Sequence, residues 1–368
     1  MKKRTKRTFS IHHWLGLWAG TFLLISSLTG TVLVFHHEID HAQHVALSTL
    51  PAPAEKLRID ASFQHIRKSF PEGDLRIPEL PQSNIQALKY EIRQDGKRQW
   101  IFAHPQTGQT LGTLQRADKR LVHVLLDTHY NLLMGKTGKV LVLLGGLSLV
   151  ALTVTGFLLY RKSIMKVLSF RQTISFKSRR SFFSSLHRIV GVWSLVFNLL
   201  LSVTGSYIAY TIVLAALSPA PASSSITASP VSIDTTLEKI RKEHPHFQIN
   251  YLRMAGNSLS VLGKLQDDPA YYGRTYSNIQ VDLNTGAVTS VNFLRDKTWY
   301  QRALSVLKPL HFGDYAGLGV KLLYSFFGFM PSILAISGFV IWRFRRSASK
   351  KGRPMKHSQK VNRLVTPA

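Results

Sequence analysis

The stretch WLGLWAGTFLLISSLTGTVLVF, residues 14–35, runs for 22 residues without a charged side chain. About 20 such residues let a helix cross a hydrocarbon core about 30 Å thick. Residues 140–160, 189–217 and 320–342 read the same way, with Lys321 near one end and Arg188 just outside another. A soluble helix of that length would show a charged face, so the sequence predicts four membrane spans. The first run is too long for the apolar region of a signal peptide, and FHHE follows it where a cleavage site would need small residues. It reads as a retained span.

The charge pattern orients those spans. The 368 residues carry 47 Lys and Arg against 19 Asp and Glu, a formal charge of +28, which in a soluble chain would suggest nucleic acid. Its distribution points elsewhere. Residues 1–11 hold five basic residues, 161–185 seven and 343–368 nine, with no acid in any of them. All 19 acids lie in 36–139 and 217–316, where the net charges are only +3 and +2. Short basic flanks remain cytoplasmic. Both termini and the middle loop are therefore expected inside, the two long segments outside, and nucleic acid is not an expected partner. With no cysteine, disulfides, thiolate nucleophiles, iron–sulfur clusters and Cys-type zinc sites are excluded.

The expected order is a cytoplasmic N-terminus (1–11), span 12–36, an external α+β domain (37–138), span 139–161 and a basic loop (162–185). Span 186–217, a second external domain (218–315), span 316–343 and a basic tail (344–368) follow. The two halves repeat. SIHHWLGLW (10–18) aligns with SLHRIVGVW (185–193), and SLTG (27–30) falls on SVTG (202–205). Ile59-Asp60 matches Ile233-Asp234. Farther on, His129, Gly146, Gly156 and Arg161 fall on His311, Gly328, Gly338 and Arg343. Parallel helix–domain–helix repeats imply a pseudo-two-fold axis along the membrane normal. In the external segments we expect a helix from Ile233 after Ser232 or Asp234, and strands at 276–281 and 287–293. Strands are also expected at 87–93 and 99–103, with linkers at 51–53 and 218–225.

Two pairs of histidines occupy equivalent positions: His12 with His187 at the mouths of spans one and three, and His129 with His311 before spans two and four. Two imidazoles related by a two-fold axis can point at one object on it, as in bis-histidine haem. Each span also carries a Ser/Thr–Gly pair: Thr29-Gly30, Thr155-Gly156, Thr204-Gly205 and Ser337-Gly338. Such pairs serve ordinary helix packing, or make room for a plate held by histidines on the other spans. The 27 residues from His129 to Gly156 would be about 40 Å of straight helix. That lifts His129 above the core unless the 135–138 stretch turns the chain back, and it leaves His37, with its neighbour His36, as a competing outer ligand.

These motifs, His12-His13-Trp14 with Thr29-Gly30, Leu186-His187 with Thr204-Gly205, and Leu310-His311 with Ser337-Gly338, resemble the PepSY-associated transmembrane helix family over nearly the whole chain. The external segments, with DLNTG at 282–286 and PQTG at 105–108, are similar to PepSY domains. The resemblance implies a membrane all-α four-helix core with two small α+β PepSY-like external domains, in an iron-regulated protein of the bacterial inner membrane. It further implies similarity to FoxB-type siderophore reductases that carry haem. The leading expectation is then an oxidoreductase with haem b, two groups ligated by His12/His187 and His129/His311. It would take electrons from a cytoplasmic or quinol donor and reduce a ferric siderophore or other iron chelate outside. A non-enzymatic PepSY-type binding or regulatory protein is a second expectation. Siderophore permeation is a third, disfavoured because the spans lack buried ionisable residues.

Overall fold

In a computed structural model, describing residues 3–115, 120–218 and 231–351, the apolar runs become four candidate membrane-spanning helices. The first half opens with α1 (Lys3–Leu33), α2 (His36–Gln43), α3 (Val45–Ser48) and α4 (Ile59–Ser69). Strands β1 (Asp74–Ile77), β2 (Leu88–Gln94), β3 (Lys97–Ala103) and β4 (Thr110–Gln115) come next. The half closes with α5 (Leu121–Asn131), the span α6 (Gly135–Tyr160) and the short α7 (Ile164–Leu168). The second half runs α8 (Arg179–Trp193), α9 (Leu195–Leu217) and α10 (Ile233–Glu243), then β5 (Phe247–Ala255) and β6 (Ser258–Leu265). It ends with β7 (Ser277–Asp282), β8 (Val288–Asn292), α11 (Trp299–Phe312) and α12 (Gly317–Lys351).

The spans pack through small residues. Helix α1 lies against α6 and α12, α9 against α6, and α8 against α12. Ser27 donates to the Gly328 carbonyl (2.6 Å) and accepts from Ser332 (2.9 Å), tying α1 to α12. A Cβ on Gly146 would stand 2.6 Å from Ser206 Oγ, so α6 and α9 approach closely there. In lipid, where apolar burial does not drive association, such close approach and hydroxyl bonds hold helices together. Large side chains such as Leu147, Phe157, Val196 and Phe326 face outward.

The third span was expected as one helix over 186–217. It begins earlier, at Arg179, and is interrupted at Ser194. There the Ser194 hydroxyl donates to the Val190 carbonyl and accepts from Asn198 Nδ2 (2.9 Å). Side-chain bonding to the preceding turn is a recognised cause of helix bending. Helices α5 and α11 were not expected at all.

Outside the bundle, the strands expected at 87–93, 99–103, 276–281 and 287–293 form as β2, β3, β7 and β8, within a residue or two. The two segments do not carry separate sheets. They share one antiparallel sheet of eight strands, ordered β4-β3-β2-β1-β5-β6-β7-β8, joined where β1 pairs with β5 through Leu75↔Met254 and Ile77↔Leu252. One core runs through that seam, taking Phe63, Leu75 and Tyr90 from one segment and Leu237, Met254 and Val261 from the other. The helices are cross-capped at the seam. Asp60 accepts from the Ile233 amide (2.7 Å) and Ser232 Oγ (2.5 Å), while Asp234 accepts from the amides of Ile59 (2.9 Å) and Asp60 (3.2 Å). Each carboxylate satisfies orphan donors of the other segment's helix. Residues 51–53 form turn and irregular structure; most of the linker expected at 218–225 lies outside the described residues, as does most of the tail.

Candidate functional site

The four paired histidines meet two by two. His12 on α1 faces His187 on α8 with ring centroids 6.3 Å apart and planes at 88°. His129 on α5 and His311 on α11 are also 6.3 Å apart, with planes at 43°. The second pair depends on two reversals. Leu132, Leu133 and Gly135 take positive φ of 53°, 58° and 58° between α5 and α6. Gly313 and Gly317, at 68° and 74°, do the same between α11 and α12. Helix α5 thus lies beside α1 and α11 beside α9. This is the chain reversal that His129 required, and it brings His129 against Gly30 and His311 against Gly205.

Every one of these rings is held by a Ser/Thr–Gly pair on a neighbouring span. The Nδ1 atoms of His12, His187 and His311 lie 2.9, 2.9 and 3.1 Å from the hydroxyls of Thr155, Ser337 and Thr204. Nδ1 of His129 lies 2.9 Å from the Ser26 carbonyl and 3.3 Å from Thr29 Oγ1. The hydroxyl protons are already committed. Thr155, Thr204, Ser337 and Thr29 each donate to the carbonyl four residues back, at 2.7, 2.7, 2.7 and 2.8 Å. With its proton on its own helix each hydroxyl accepts from the ring, an arrangement in which Nδ1 carries the hydrogen and Nε2 keeps its lone pair; the Ser26 carbonyl, which can only accept, calls for the same tautomer in His129. An imidazole ready to bind a metal through Nε2 has this form, with an outer partner fixing its tautomer.

The glycine beside each hydroxyl supplies clearance. A Cβ at Gly30 would stand 2.8 Å from Cε1 of His129, and one at Gly205 would stand 2.6 Å from Cε1 of His311. At Gly156 and Gly338 it would stand 3.3 and 3.4 Å from Cε1 of His12 and His187. Around the first pair a cavity of about 480 Å³ opens between α1, α6, α8 and α12, lined by both rings and by Gly16, Gly20 and Gly191. That is within the size range of small-molecule and cofactor pockets.

The rings can be tested against a metal between them. A metal–imidazole bond of about 2.0 Å, with the ring centre about 1.1 Å beyond the nitrogen, calls for centroids about 6.2 Å apart across one ion. Both pairs, at 6.3 Å, meet that spacing. Among the described residues no group of three or more His, Cys, Asp and Glu gathers at metal-binding distance. The remaining ligands would have to come from a group such as a haem macrocycle, and the largely apolar lining, with Gly16, Gly20, Gly156, Gly191 and Gly338, is compatible with an apolar group.

The competing outer ligand is placed differently. His37 lies beside its neighbour His36, ring centroids 4.0 Å apart and planes tilted by 36°, and His36 Nδ1 donates to the Leu33 carbonyl. Burial pushes His37 below its ordinary pKa, against the opposing pull of Asp314. Among the described residues, His37 faces no histidine from another element. Elsewhere, His104 accepts from the Gln106 and Thr107 amides in a turn, and His44 contacts Asp40. What the sequence reading missed was the hydroxyl. Each Ser/Thr was legible as the partner of a glycine, and its place one residue before that glycine was the available signal.

Two comparisons with known proteins bear on this geometry. The family model described as the PepSY-associated TM region matches residues 9–345. An uncharacterised protein of Pseudomonas aeruginosa is 24% identical over 261 residues, covering 62% of this chain. The match spans 65% of that relative's length.

Proposed function

The chain belongs to the PepSY-associated TM family, and within it we propose that this protein is a haem-dependent electron-transfer reductase delivering electrons across the bacterial inner membrane to a ferric chelate. The observation that carries the reading is the repeated arrangement of two facing imidazoles 6.3 Å apart, each with Nδ1 tied to a span and a glycine under the ring. His12 with His187, and His129 with His311, would hold two haem b groups. When bound, such a group would supply one-electron exchange at its iron.

The chain's own residues set the conditions for that chemistry. Thr155, Ser337, Thr204 and the Ser26 carbonyl hold each ring in one tautomer and orientation. The four spans keep the inner pair in an apolar surround. The Lys/Arg bias of the short segments supports a cytoplasmic 1–11, 162–185 and 344–368, with 37–138 and 218–315 as PepSY-like halves of the shared sheet in the periplasm. The matched positions of the two halves, reciprocal caps at Asp60 and Asp234, and β1–β5 pairing support a duplicated chain with a pseudo-two-fold axis along the membrane normal. On this arrangement the donor, soluble or quinol, approaches the His12/His187 end and the chelate approaches the His129/His311 end. A ferric siderophore suits the acceptor role, because hard oxygen ligands grip Fe(III) far better than Fe(II) and one electron releases the metal.

A second reading, a PepSY-type binding protein, rests on the terminal places of β4 and β8 in the strand order, since terminal strands are where a partner strand adds. One assay separates the two. The purified protein is reduced anaerobically, freed of reductant and mixed with a trishydroxamate–Fe(III) chelate in the presence of an Fe(II) trap. The reductase reading predicts loss of the reduced spectrum with one Fe(II) trapped per electron. A spectrum that stays reduced with no Fe(II) trapped contradicts it.

A further inference from the structure

The cavity around His12 and His187 has a charge pattern that the paired rings do not use. Its lining contains two arginines, Arg188 and Arg345, and no acidic residue. They belong to opposite seams of the bundle: the Arg188 guanidinium lies 5.9 Å from the Tyr160 ring of α6, and that of Arg345 lies 4.7 Å from the Phe9 ring of α1. Both side chains are exposed. Neither has a carboxylate partner among the described residues, although Arg188 Nε donates to the Ser184 carbonyl.

The sequence explains why. No Asp or Glu precedes Glu38, none lies between Asp127 and Asp234, and none follows Asp314. This end of the bundle therefore contains no carboxylate of its own, and any anion beside these arginines comes from outside the chain. The repeat does not require them either, since Arg188 stands where the first half has His13, and Arg345 where it has Ser163. The result is an apolar slot with two cations at its rim.

We propose that Arg188 and Arg345 form a two-point carboxylate clamp that binds the two propionates of the haem at His12/His187 and fixes its rotation in the slot. This rests on the haem reading above. Guanidinium–carboxylate bonds are among the stronger hydrogen bonds, more so when partly desolvated. A group with an apolar body and two carboxylates matches the apolar lining and the two arginines of the cavity. Headgroup phosphate of an anionic lipid is the other anion available at a membrane face, and the experiment separates it from the propionates.

Apo-protein from haem-deficient cells, in neutral detergent, is titrated with haem and with haem dimethyl ester, whose propionates carry no charge. Wild type, the double variant R188Q/R345Q and the conservative R188K/R345K are compared. The clamp predicts two sites in wild type, one of which binds haem at least about tenfold more tightly than the ester. In R188Q/R345Q that preference disappears, haem affinity at that site falls by a similar factor, and its midpoint potential moves down as positive charge is removed. R188K/R345K keeps part of the preference, and normal uptake at the other site shows that the variants are folded. Equal binding of haem and ester by wild type, or haem binding unchanged in R188Q/R345Q, overturns the clamp while leaving the haem reading intact. Should variant binding instead change only on adding anionic lipid, the arginines serve headgroups and the clamp is likewise overturned. A wild-type chain that takes up neither compound overturns clamp and haem reading together.

Discussion

At the scale of single residues, the hydroxyls do what the histidines alone cannot. An imidazole at a helix end is free to turn and to exchange its proton between two nitrogens. A hydroxyl whose own proton is bound to its helix leaves the ring one choice. Replacing Thr204 by Val or Ser337 by Ala leaves the His311 or His187 Nδ1–H without its hydroxyl acceptor. Loss of such an outer partner typically costs about 10–100-fold in metal-site affinity. Haem titration should show that loss at one site only, with Thr204→Ser close to wild type; unchanged affinity in both variants would mean that these hydroxyls do not orient the rings. The histidines and glycines were legible in the sequence because the repeat preserves them. The hydroxyl's role was not, because it depends on where its proton goes.

At the scale of elements, long apolar runs and turn-flanked strands were legible because each has a local signal. Helices α5 and α11 were not. They are 11 and 14 residues long, too short to register as spans, and mix His, Asp and Lys with Leu and Val. Strands β1, β5 and β6 were not expected, and the pairing of β1 with β5 that joins the segments leaves no sequence signal short of the fold itself. The α5–α6 reversal is the most sensitive element. A Cβ on Gly138 would stand 1.6 Å from the Asn131 carbonyl oxygen, so Gly138→Ala must open the hairpin. We expect this variant to keep the His12/His187 haem and lose the His129/His311 haem, halving pigment per chain; full pigment would show that the hairpin does not position His129.

At the scale of the whole molecule, the two halves depend on each other outside and inside the bundle. Each caps a helix of the other's external segment, α4 or α10, each supplies half of one sheet, and each contributes one ring to both histidine pairs. Neither half could form this site alone. The charge asymmetry belongs to the same scale, with every acid confined to two segments and none in the cavity lining beside Arg188 and Arg345. The most direct measurement is haem content per chain with oxidised and dithionite-reduced spectra, for detergent-purified wild type, His187→Ala and His311→Ala from haem-replete cells. The account predicts two b-type haems in wild type, one in each variant, and reduced α bands that differ between the variants. A colourless wild-type protein, or two variants that both retain the full complement of haem, would contradict it.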